Sequence, residues 1–139
     1  MSDNIFRNVN KNLSEEDIKM MNALSLAYVG DAVFELFVRT EICDGRLNSH
    51  KLHLKSSKFV NAKSQSEMLK ILEENLSDDE KLVVRRGKNA KPHTIPKNAN
   101  LMEYKNATAL EALFGYLFLL RKYERLEELY KIIGGNYEG

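Results

Sequence analysis

The chain has one cysteine (Cys43), two prolines and seven glycines among 139 residues, and no apolar run long enough to cross a bilayer. A lone thiol closes no internal disulfide, which excludes a disulfide-stapled scaffold and fits a reducing compartment. The opening residues, MSDNIFRNVNKN, lack the apolar segment of a secretory signal, so a cytoplasmic location is expected. The longest apolar stretch, Ala107 to Leu120, is too short for a membrane span and carries Glu111 in its interior, which marks a buried helix and excludes a membrane anchor. So little proline and glycine, beside abundant Leu, Lys, Glu, Ala and Asn, disfavours a strand-rich sandwich or barrel. An excess of one charge sign is missing too. With 21 basic and 20 acidic residues the net charge is +1, so only the placement of charge can point to a polyanionic partner.

What is present is enough apolar surface for a core, at 43% of residues, with 29% charged. The length suits one domain spanning residues 1–139, with residues 1–13 as a flexible leader, and the expected class is an all-α helical bundle. Ser14 followed by three acids predicts a helix start. Helical spacing of Leu26, Val29, Val33 and Leu36 predicts a helix from Asn22 to about Cys43, apolar nearly all round. Asp44-Gly45 breaks that pattern. Asn48 or Ser49 then caps a second helix reaching Phe59 and Val60, and a third carries Met68, Leu69, Ile71 and Leu72. Ser77 to Glu80 has the form of a capping box and opens a fourth helix ending near Gly87. Gly87 to Lys105, with Pro92 and Pro96, reads as a long loop. A core helix from about Asn106 to Leu120 and an amphipathic one from Tyr123 to Ile133 close the chain.

Two acids stand out. Between Leu24 and Val38 the only acids are Asp31 and Glu35, in a helix otherwise too apolar to leave a broad face in water. Glu111 is the sole charged residue between Ala107 and Leu120, on a stripe of small residues with Thr108 and Gly115. Gly30, next to Asp31, lets another backbone or a ligand come close. A buried, unpaired carboxylate costs several kcal/mol, so each acid needs a partner. One solution is an ion pair, for example with Arg39 or Lys105; the other is a shared hard cation such as magnesium, which prefers carboxylate oxygen and keeps several waters. The second leads to phosphodiester hydrolysis by metal-activated water, with no protein nucleophile. Glu35 reads as a solvated or structural residue.

LSLAYVGDAVFELFVR (Leu24 to Arg39) resembles the signature helix of ribonuclease III domains, and NATALEALFGYLFL (Asn106 to Leu119) resembles their second acidic helix. The whole, from about Leu24 to Leu129, is most similar to the Mini-ribonuclease III family, a catalytic domain without an appended double-stranded RNA-binding domain. The resemblance implies a ribonuclease III-type fold and a homodimer in which signature helices pack across a two-fold axis. It also implies catalytic and metal-holding roles for Asp31 and Glu111 with Mg2+, and double-stranded RNA, specifically the 23S ribosomal RNA precursor, as substrate. A ribosomal protein presenting that RNA is a further candidate partner. Ordinary ribonuclease III has acids at the positions of Leu24, Ala27 and Thr108; here they are absent, which leaves a pared-down site.

From Lys81 to Lys105 seven basic residues face the lone acid Glu103. Arg85, Arg86, Lys88, Lys91 and Lys97 suit phosphate, and Asn89 suits a ribose hydroxyl, so these six are the expected RNA contacts. The competing reading of that run is a solvated basic surface. His50 and His53 lie one turn apart but lack a third metal ligand, and Cys43 reads as a small apolar filler. A non-catalytic RNA-binding or ribosome-associated protein of the same fold is the alternative to an enzyme; retention of Asp31 and Glu111 argues against it.

Overall fold

Side-chain caps set where the helices begin. Ser14 and Asp17 form a reciprocal capping box at the start of α1 (Glu15–Lys19), with bonds of 2.9 and 3.1 Å, and Ser77 and Glu80 form another at α5 (Asp78–Asn89). Asparagine does the same work at four more helices, accepting from a first-turn amide through its side chain. Asn22 caps α2 (Ala23–Ile42), Asn48 α3 (Ser49–Ser57), Asn61 α4 (Ala62–Leu72) and Asn100 α6 (Leu101–Leu119). A 3-10 turn, Glu73–Asn75, extends α4, and α7 (Tyr123–Gly134) is the last element. The computed structural model describes Phe6 and residues 9–92 and 94–134; among these every regular element is helical, as expected. The expected leader lies partly outside the described residues; residues 9–12 form turns, and Phe6 meets Phe118 edge to face.

Helix α6 is the centre of the bundle, with α2, α4, α5 and α7 packed round it. From Asn106 to Leu117 every residue is buried except Glu111, which is half-buried. Phe114 sits edge to face with Phe34 and Phe37 of α2, and Phe37 stacks on Tyr130 of α7 at 4.8 Å between ring centres. Arg125 of α7 reaches both Glu80 carboxylate oxygens, at 2.9 and 2.8 Å, and the Asn75 carbonyl, so it locks the start of α5 to the last helix. Burial alone would raise the Glu80 pKa, but the bonds from Arg125 and the Ser77 amide outweigh it and hold the carboxyl below its ordinary value.

Three expectations need correction. Gly87 does not stop α5. It lies within the helix because a Cβ there would meet Ala109 Cα of α6 at 2.6 Å, so glycine is required by the crossing rather than by a helix end. At the other side, Asn100 caps α6 five residues before the expected start, and the irregular segment shrinks to residues 90–100. Arg85, Arg86, Lys88 and Asn89 are therefore helical, and only Lys91 and Lys97 of the expected RNA contacts are on a loop. Phe59 and Val60 follow α3 in a turn instead of extending it. Helix α2, apolar nearly all round as expected, keeps one stripe exposed: Tyr28 and Leu36, with Ser25 and Ala32 at helical spacing. Among the described residues no helix is long and apolar enough to cross a membrane.

Candidate active site

Helices α2 and α6 cross in direct backbone contact, and two glycines make that possible. A Cβ on Gly30 would fall 1.6 Å from the Glu111 carbonyl oxygen, and one on Gly115 would fall 1.9 Å from the Leu26 carbonyl oxygen. No side chain larger than hydrogen fits at either point. Asp31 follows Gly30 directly, so this crossing carries its carboxyl alongside that of Glu111, within hydrogen-bonding reach. Asp31 is exposed and Glu111 half-buried, so the pair opens to solvent on the α2 side. Burial pushes the Glu111 carboxyl up to about 8 from an ordinary 4.5, and the neighbouring Asp31 charge and a hydrogen bond to Asp31 add to it. The Gln65 amide opposes the rise, and Glu35, farther along α2, contributes weakly to it.

Among the described residues no Lys or Arg supplies the missing charge. Arg39 is taken by Glu35, one turn earlier on α2, at 3.2 Å. Among the described residues neither Asp31 nor Glu111 is in an ion pair with any Lys or Arg, Lys105 included. Two carboxyls forced together, one of them holding a proton well above its ordinary pKa, are a site short of positive charge.

Residues 24–122 match the ribonuclease III domain family. The chain is 42% identical over 127 residues to the Mini-ribonuclease 3 of Clostridium tetani, covering 90% of this chain and 84% of that one. With the Mini-ribonuclease 3 of Staphylococcus aureus it shares 43% identity over 121 residues, 85% of this chain and 90% of the relative. A crystal structure of a protein from Fusobacterium nucleatum superposes with a TM-score of 0.79 at 36% identity, over 87% of this chain and 98% of that one. The chain belongs to the Mini-ribonuclease III family. It is a ribonuclease III-type endoribonuclease.

Set within Mini-ribonuclease III, the acid pair fits a hard divalent ion. Asp31 and Glu111 offer carboxylate oxygens, uncompensated and reachable from solvent, and an ion such as magnesium accepts one or two carboxylates and completes its shell with water and phosphate. Among the described residues no group of three His, Cys, Asp or Glu side chains gathers anywhere, so the pair stands without a third protein ligand of those types. The positions where ordinary ribonuclease III carries further acids are closed to that role. Ala27 is buried, Leu24 half-buried, and Thr108 is buried with its hydroxyl donating to the Tyr104 carbonyl at 3.0 Å.

The expected RNA contacts divide into two groups. Arg85, Asn89, Lys91 and Lys97 are exposed. Arg86 instead donates to the carbonyls of Lys19 and Met21, bracing the α1–α2 junction, and Lys88 pairs with Glu73 at 3.0 Å. Because Gly87 abuts Ala109, and residue 109 is about 200° round α6 from residue 111, α5 lies roughly opposite the acid pair. Cys43 is exposed at the end of α2 rather than filling the core, and with His53 and Arg39 it lines a shallow hollow beside α3. A residue that the sequence reading passed over is Gln65 of α4, buried near Glu111. Its signal was periodicity: Gln65, Met68, Leu69 and Leu72 form one buried stripe, in which a lone amide is out of place.

Proposed function

We propose that this protein is a magnesium-dependent endoribonuclease that cleaves double-stranded RNA at a site built on Asp31 and Glu111. The observation that carries this reading is the glycine-permitted crossing that sets two carboxyls side by side, with no Lys or Arg among the described residues paired to either. A bound magnesium ion would neutralise charge on the scissile phosphate and make a water acidic enough to attack at neutral pH.

The chain's own residues supply placement. Asp31, on the exposed side, meets the ion and the RNA backbone first. Glu111, deeper beside it, would hold the same ion as the second carboxylate ligand. The rigid backbone contact at Gly30 and Gly115 fixes the separation of the two helices, which keeps the pair organised before substrate arrives. Lys91 and Lys97, on the segment that leads into α6, take backbone phosphates; Arg85 and Asn89 sit on α5, roughly opposite the acid pair, and Arg86 and Lys88 brace that helix. The exposed stripe of α2 receives a second copy of the chain, giving one acid pair for each strand of a duplex. The natural substrate is the large-subunit ribosomal RNA precursor in the cytoplasm, presented by a ribosomal protein; this part of the reading comes from the family.

The test is cleavage of structured large-subunit ribosomal RNA precursor with magnesium by the wild type, Asp31→Asn and Glu111→Gln. Loss of cleavage by a factor of about 100 or more in each variant is expected, since each removes a ligand of the ion. Equal cleavage by all three proteins would sink the site.

A further inference from the structure

We propose that Gln65 is a positioning residue for Glu111, its enclosed side-chain amide holding one carboxylate oxygen so that the other faces the cation. The inference rests on the metal-site reading above and goes beyond it, to the residue that aims the buried ligand.

Gln65 is 4% exposed, and its Nε2 makes no hydrogen bond of good geometry to any group. An enclosed amide left unpaired destabilises a fold by about 1–3 kcal/mol. Its stripe on α4 is otherwise Met68, Leu69 and Leu72, all buried, so leucine or methionine at this position would pack without that penalty. The interface between α4 and α6 does satisfy polar groups elsewhere: Asn106 Nδ2 donates to Ser66 Oγ at 2.9 Å, one residue from Gln65. The unpaired donor is therefore a local feature of this position. The group it acts on is the Glu111 carboxyl, which feels the amide as a hydrogen-bond donor although the two are not at bonding geometry.

That combination is what a ligand-aiming group looks like before the ion arrives. With one Glu111 oxygen engaged by a cation, the other would be free to accept a charge-assisted bond from the enclosed Gln65 Nε2. Residues that orient a ligand in this way typically support metal affinity by a factor of about 10–100. The rival partner for Nε2 is Asn106 Oδ1, the other enclosed atom without a bond. A pairing there would make Gln65 purely structural.

The two roles separate in Gln65→Leu of the full chain, read by Mn2+ titration without RNA, thermal denaturation, and the magnesium dependence of cleavage. The positioning role predicts a melting temperature equal to or above wild type. It also predicts Mn2+ affinity weakened about tenfold, a matching rise in half-saturating magnesium, and an unchanged KM for RNA at saturating magnesium. A variant that melts lower yet keeps wild-type Mn2+ affinity overturns the inference in favour of the Asn106 pairing. Unchanged affinity with unchanged stability overturns it as well. If leucine prevents folding, Gln65→Met, more adaptable in shape, is read by the same criteria. Glu111→Gln, measured alongside, locates a failure. Should it leave Mn2+ affinity intact, the metal site itself is wrong and the inference falls with it; should it abolish affinity while Gln65→Leu does not, only the role of Gln65 is wrong.

Discussion

Glu111 is the residue at which fold and chemistry compete. Its carboxyl holds a proton up to about pH 8 in the metal-free protein, first because it is buried and then because Asp31 is beside it, against 4.5 ordinarily. Between those two values the unfolded chain has released this proton while the folded chain still binds it. Stability of the metal-free protein therefore falls as pH rises through that window, by an amount on the order of a few kcal/mol. Denaturation in EDTA should show a midpoint that drops from pH 5 to pH 8 in the wild type. Glu111→Gln, which keeps the shape and carries no charge, should flatten that drop and be the more stable protein at pH 8. Added magnesium should restore the wild type at pH 8 and do little for the variant, because the ion replaces the proton that Glu111 gives up. A pH-independent midpoint in the wild type would mean that the two carboxyls do not interact as described.

At the scale of the element, the site depends on how closely α2 and α6 approach. Gly30→Ala and Gly115→Ala each gain about 1 kcal/mol in helix propensity. Against this, each methyl would land within 2 Å of a carbonyl oxygen across the crossing, at 1.6 and 1.9 Å. Backbone cannot rotate away as a side chain can, so overpacking of about 3 kcal/mol or more dominates. Chemical denaturation should find both variants strongly destabilised, whereas wild-type stability in either one would show that the helices are farther apart. The same crossing explains what was legible in the sequence. An acid alone in an apolar helix is visible, and so is a glycine beside it, so Asp31, Glu111, Gly30 and Gly115 could be singled out, and α2 was bounded by its helical spacing and the Asp44-Gly45 break. Gly87 was misread because a packing glycine inside a helix and a glycine past its end look alike in one dimension; Ala109, which decides the matter, is on another helix. Arg86 and Lys88 looked like free cations for the same reason, since their partners, the carbonyls of Lys19 and Met21 and the carboxylate of Glu73, are distant in sequence. Gln65 escaped because amides are ordinary on polar helices; its place in a stripe with Met68, Leu69 and Leu72 was the one sequence signal, and burial makes the anomaly plain.

For the whole molecule, the exposed face of α2 carries the argument. Tyr28 is 84% and Leu36 61% exposed, with Ala32 exposed between them, along the helix that bears Asp31. An apolar stripe of this kind on a helix otherwise committed to the core marks a contact surface. On the proposed function the substrate is a duplex with two strands of opposite direction, and a two-fold pair of chains would offer two identical sites of opposite direction, so the stripe and that substrate call for the same symmetry. The wild type should therefore sediment as a dimer. Leu36→Asp places a charge at the C-terminal end of that stripe without touching the residues buried against α6, so it should give a folded monomer with wild-type helical content. Mn2+ affinity should survive, because both carboxyls come from one chain, while cleavage of duplex RNA falls by about tenfold or more as contacts to the second strand are lost. A Leu36→Asp protein that remains dimeric would assign the interface to another face. A folded monomer with full cleavage would mean that one acid pair suffices for both strands in turn.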